Sequence, residues 1–327
     1  VHKAACLAKT DLTTELVKEF TELQGVVGGL YAKVQQLDPG LPEATRFAIA
    51  DAIYDQYKPE STDDDVPRSL EGAVLSIGDK ADTIAGMFSL GLVPSGSKDP
   101  FALRRQANGI VKIIAQKNLP LRLSELLRDA RTGYQKSEAE KKFVEDEKYS
   151  QSIDLFFRER LEFYLRDVLG YAYDVVKAVL AADADDVVDA IARAEAVKQV
   201  LHMPEFQAIG AASKRMRNIL RQAEEKAIKP SEKFEYLAEA AHEEKSLMAH
   251  LEQTGTRVEV HRGKKEYFDA LMLLSGLREP VDAFFDKVMV MVDDTRVRAN
   301  RLALLQALLR EFSTIADFSE IVSEGKA

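Results

Sequence analysis

The sequence predicts an all-α fold. Apolar side chains recur at i, i+3, i+4 and i+7 in segment after segment, while no convincing alternating strand pattern and no repeat of fixed period occurs. The composition, 46% hydrophobic and 30% charged, is that of a globular protein, and 327 residues suffice for two or three domains with ample core.

Taken in order, Leu12, Leu16, Phe20 and Leu23 predict a first helix that stops at Gly25. Pro42 opens a second, reaching about Tyr57. The acidic, proline-bounded run from Pro59 to Pro67 reads as a solvated loop. Residues 73–88 form a strongly apolar helix that carries Asp79, Lys80 and Asp82. After the next helix, described below, further helices are expected over 121–132 and 138–150. A long one follows through Leu155, Phe156, Leu161, Tyr164 and Leu165, which Gly170 ends or bends. Short helices follow over 182–197 and from Ala208, and another over 229–253 with Pro230 and Ser231 at its start. Pro280 opens the clearest amphipathic pattern, with Val281, Phe284, Phe285, Val288, Met289 and Val292 on one face. Both phenylalanines are therefore expected in the core. Leu302, Leu305, Leu309 and Phe312 line the last helix.

The stretch SKDPFALRRQANGIVKII, from Ser97 to Ile114, is the most informative. Asp99 followed by Pro100 marks a helix start, a capping carboxylate before a residue with no N–H to lose. Leu103, Ala107, Ile110, Val111 and Ile114 make one apolar stripe, with Arg105, Asn108 and Lys112 opposite and Arg104 on the flank. Two arginines near a helix N-terminus oppose the macrodipole, so an anion should offset them. An internal carboxylate, Asp79 or Asp82, or a bound phosphate would serve.

Several chemistries are excluded. A single cysteine, Cys6, rules out an internal disulfide and points to a reducing, cytoplasmic setting; among Ala4, Ala5, Leu7 and Ala8 it reads as a buried thiol. No apolar run approaches the ~18 residues of a membrane span, and no signal peptide is visible. The chain opens on Val1 rather than Met, so a fragment or processed form is expected. Residues 25–29, GVVGG, lack the lysine and preceding strand of a phosphate loop, and GxSxG and HExxH motifs are absent. The five histidines are His2, His202, His242, His250 and His261, so the first 200 residues cannot assemble a centre of two or more imidazoles. His242 and His250 could share a helix face, but no third ligand converges. No metal site is predicted.

DPFALRR, preceded by AVLSIGDKADTIAGMF, resembles the β subunit of the bacterial two-subunit glycyl-tRNA synthetase. The opening AACLAKTDLTTELVKEFTELQGVVGGLYA and the late LREPVDAFFDKVMVMVDD with RANRLALL are equally similar to that family. The resemblance covers essentially the whole chain and would make it roughly the C-terminal half of the subunit. It implies an HD-like helical domain over 1–148, a helical connecting region over 149–204, and over 205–327 a DALR-like helical anticodon-binding domain. In the first, Asp79 stands where the last metal-binding aspartate of an HD phosphohydrolase lies. LAKTDL stands where the His-Asp pair belongs, without the histidine, so the fold is expected to persist and the hydrolase to be lost.

The resemblance also implies that ATP-dependent glycine activation and transfer belong to the α subunit, with ATP and Mg2+ used there and no cofactor in this chain. The expected partners are tRNA(Gly) and the α subunit, not DNA or membrane. Two basic islands suit tRNA in a chain of net charge −9. Residues 98–122 carry a local net of +5 and 213–229 a net of +4. Lys98, Arg104, Arg105 and Lys112 are the candidates for the acceptor side. Lys214, Arg215, Arg217, Asn218 and Arg221 are those for the anticodon side, with Arg215 or Asn218 as base readers. An HD-type phosphohydrolase and a helical protein scaffold are the alternative readings.

Overall fold

The computed structural model describes residues 1–35 and 40–321. Among these the regular elements are all helical, and no helix is long and apolar enough to cross a membrane. The chain falls into two compact units, Val1–Tyr164 with Asp185–Val188, and Leu165–Ala184 with Asp189–Ala327.

The first unit contains α1 (His2–Leu7), α2 (Glu15–Glu19), α3 (Val26–Val34), α4 (Glu43–Tyr54), α5 (Leu70–Ser89), α6 (Leu103–Lys117), α7 (Leu123–Thr132) and α8 (Asp146–Phe163). Its centre is α5. Ser69 caps it by accepting from the Gly72 N–H at 3.0 Å. Ala73, Ile77, Ala81, Ile84 and Phe88, three or four residues apart, are all buried. Around it pack α4, α6, α7 and α8. The predicted stripe of α6 is complete: Leu103, Ala107, Ile110, Val111 and Ile114 are at most 1% exposed. Where α3 crosses α4 the helices nearly touch, and a Cβ at Gly29 would stand 2.6 Å from that of Tyr54.

The first predicted helix is instead broken into a 3-10 turn, Thr10–Thr13, the short α2 and a second turn, Thr21–Leu23. Thr14 restarts the chain in extended backbone and caps α2 through Val17 N–H. Asp11 is buried, its Oδ2 accepting from the Gly25 and Gly28 N–H groups at 2.6 and 3.1 Å. Leu12, Leu16 and Phe20, the expected core stripe, are each 40% or more exposed. Cys6 is likewise exposed rather than buried. Only Ala4 of α1 is buried, and two residues along a helix turn the chain to the opposite side.

The second unit contains α9 (Tyr173–Ala182), most of α10 (Val187–Val200), α11 (Pro204–Glu225), α12 (His242–Gly263), α13 (Tyr267–Ser275), α14 (Arg278–Lys287) and α15 (Thr295–Phe312). Both α11 and α12 pack on α13, α14 and α15, and α11 also packs on the closing 3-10 turn Phe318–Glu320. Two helices are shorter than predicted. Residues 229–241 stay irregular because α15 binds their backbone: Ser231 N–H donates to Ala299 O, while Asn300 accepts from Glu235 N–H and donates to Glu235 O. After Lys287 the chain extends, with Val288 and Val290 buried and Met289 73% exposed. Arg298 and Arg301 bind the carbonyls of Val292 and Met289.

Candidate nucleic-acid interface

At the start of α6, Asp99 caps as its sequence position predicts. Oδ1 accepts from Leu103 N–H at 2.8 Å and Oδ2 from Arg104 N–H at 2.9 Å. The carboxylate therefore offsets the positive helix end. Neither Arg104 nor Arg105 pairs with Asp79 or Asp82, and neither forms an ion pair or side-chain hydrogen bond with any described residue. Asp79 is occupied by Lys9. Arg105 and Lys98 are exposed, Arg104 half-exposed. Lys112 is engaged internally: its Nζ donates to Thr62 O and Asp64 O at 2.8 and 2.6 Å, tying the acidic loop to α6. Lys117 holds Arg68 O, and Arg122 pairs with Asp185.

The second island lies on α11, which Pro204 opens at its first turn. Here the structure divides the candidates. Lys214 donates to Ile321 O at 2.6 Å. Arg217 pairs with Asp317 and lies 3.8 Å from Glu320, so α11 clamps the closing turn. Arg215 does neither: its guanidinium lies over the ring of Phe285, 4.2 Å from the centroid. Arg221 reaches only Asn218 Oδ1, at 3.5 Å, and Arg215, Asn218 and Arg221 are all exposed.

The phenylalanine pair separates as well. Phe284 is fully buried, as expected, whereas Phe285 is half-buried beneath Arg215 and set edge-on to Phe284 with centroids 5.3 Å apart. Nothing in the sequence pairs Arg215 with a residue 70 positions on.

The donor set around Asp79 does not suit a metal. Lys9 places an ammonium on the carboxylate, and Asp11 spends one carboxylate oxygen on backbone N–H groups. Elsewhere, His261, Glu266 and Asp269 bring three ligand-type atoms within 4.8 Å of one another at the α12–α13 junction, and His261 Nδ1 lies 2.8 Å from Glu266 Oε2. A grouping across two helices is not visible from sequence spacing.

Residues 1–181 match the family model of the glycyl-tRNA synthetase beta subunit, and residues 209–318 that of the DALR anticodon binding domain. The glycine–tRNA ligase beta subunit of Acidobacterium capsulatum is 53% identical over 325 residues, 98% of this chain and 44% of that protein. Those of Syntrophus aciditrophicus and Leptothrix cholodnii are 42% and 40% identical over 99% of this chain and 44% and 42% of theirs. The chain thus spans less than half the length of these relatives.

Proposed function

The chain belongs to the glycyl-tRNA synthetase beta-subunit family, and on that premise we propose that it holds and orients tRNA(Gly) for ATP-dependent glycylation by an alpha subunit. The first unit takes the acceptor side through Lys98, Arg104 and Arg105. The second takes the anticodon side through Arg215, Asn218 and Arg221. Lys112, Lys214 and Arg217 are assigned secondary roles, since their charged groups already serve internal contacts. The chain acts as a ligase subunit in the cytoplasm, with the catalytic centre, ATP and Mg2+ on the alpha subunit.

One observation carries this reading. In a chain of net charge −9, the guanidinium groups of Arg104, Arg105 and Arg215 have no carboxylate partner among the described residues. Most other arginines, from Arg68 and Arg131 to Arg301, are paired. An arginine left with its N–H donors unpaired is suited to phosphate or a base edge.

The test is an electrophoretic shift of a tRNA(Gly) transcript by this chain, with an anticodon variant and an unrelated transcript alongside. The glycine transcript should bind and the anticodon variant more weakly. No retardation of any tRNA at low salt would return the chain to the scaffold reading.

A further inference from the structure

Beside the start of α6, the first unit contains a cavity of about 260 Å3. Lys9, Lys80 and Arg105 line it against Asp79 and Glu60, which leaves one net positive charge. These charges are unequally available. Lys9 is matched by Asp79. Lys80 is 5% exposed and donates to Tyr57 O and Lys58 O at 3.1 Å and to Ser76 Oγ at 2.7 Å. All three partners are neutral, so its charge is fixed in the wall without a carboxylate in ion-pair contact. Gly109 makes room for it, since a Cβ there would stand 3.0 Å from Lys80 Cε. Arg105 alone has guanidinium donors without a partner among the described residues. The N-terminus of α6 does not compete, because Asp99 occupies its Leu103 and Arg104 N–H groups.

Two rings, Tyr57 and Phe101, line the same cavity, and Phe101 is 42% exposed. A concave space this small excludes a duplex. An unpaired nucleotide fits its character, because single strands are held by cations on the backbone and aromatic faces against the bases. One net positive charge matches one phosphodiester.

We propose that this cavity receives one unpaired nucleotide at an end of the bound RNA, its phosphodiester on Arg105 in the field of Lys80 and its base against Phe101. The proposal rests on the tRNA-binding reading above and adds where a single-stranded end is held.

Filter-binding titrations at one salt concentration test it. The ligands are a tRNA(Gly) transcript and the same transcript trimmed of its unpaired 3′ nucleotides. The proteins are the unsubstituted chain, Arg105→Ala, Phe101→Ala and, as a charge control on exposed α7, Arg128→Ala. Trimming should weaken binding to the unsubstituted chain by about tenfold. Arg105→Ala and Phe101→Ala should bind the intact transcript several-fold more weakly and no longer distinguish it from the trimmed one, while Arg128→Ala keeps the distinction. If trimming changes nothing, or if Arg105→Ala weakens both transcripts equally, the cavity is not the site although tRNA binding stands. If neither transcript binds the unsubstituted chain, the tRNA reading fails first.

Discussion

The guanidinium of exposed Arg215 on α11 lies over the ring of Phe285, 4.2 Å from its centroid. Phe285 is itself fixed edge-on by buried Phe284. The stack restrains an exposed arginine without consuming any of its N–H donors, which lowers the entropy lost when those donors meet a base edge or phosphate.

On the proposed tRNA-binding reading, Phe285 contributes through Arg215 rather than by touching RNA itself. Phe285→Leu should weaken tRNA(Gly) binding by about two- to fivefold, the size of an exposed cation–π interaction. Arg215→Ala should cost more, and the double variant no more than Arg215→Ala alone. A double-mutant cycle by filter binding checks this; additive losses would separate the two residues.

Arg104→Ala with Arg105→Ala should weaken tRNA binding and lower the slope of log affinity against log salt by about one for each phosphate no longer neutralised. Lys112→Ala should leave that slope unchanged, because its ammonium holds Thr62 and Asp64 rather than facing outward. Titrations from low to moderate salt on the three proteins distinguish the contributions.

What the sequence disclosed depended on the range of the interaction. The α6 stripe and its Asp99 cap were legible because both are local, set by 3.6-residue periodicity and a cap within five residues. The irregular 229–241 segment was not, since its backbone is bound by Asn300, 65 residues beyond Glu235. Leu12, Leu16 and Phe20 have helical spacing without being core, because Asp11 reaches across to Gly25 and Thr14 starts the chain anew. The islands followed the same division. Their net charge could be counted, but that Arg217 faces Asp317 while Arg215 faces a ring depends on partners 100 and 70 residues away.

Arg193 joins the second unit from within. It is 2% exposed, pairs with Asp189 at 2.7 Å and donates to the carbonyls of Val179, Asp183 and Ile315. Arg193→Met would strand those carbonyls and take from Asp189 its buried cationic partner, leaving it the Tyr267 hydroxyl and the more distant Lys265. Breaking such a buried pair costs about 3 kcal/mol or more. Urea unfolding should record that loss. Arg193→Lys should not recover it, because three donors cannot serve four acceptors in this planar arrangement.

Glu311, half-buried on α15, supplies the pH dependence. Burial raises its pKa above the usual value of 4.5, with Glu259 adding to the rise and Arg262 and Arg310 opposing it. In the window just above 4.5 the folded chain thus holds this proton while the unfolded chain has released it, so the group's contribution to stability falls as pH rises through that window. Above the folded pKa the charged carboxylate carries its full desolvation cost. Glu311→Gln keeps the shape and removes the charge, so it should raise the melting temperature at pH 7. The gain should vanish below pH 4.5, where both side chains are neutral. Parallel thermal unfolding curves at pH 4 and pH 7 decide the matter: a gain of equal size at both would assign the effect to packing rather than to ionisation.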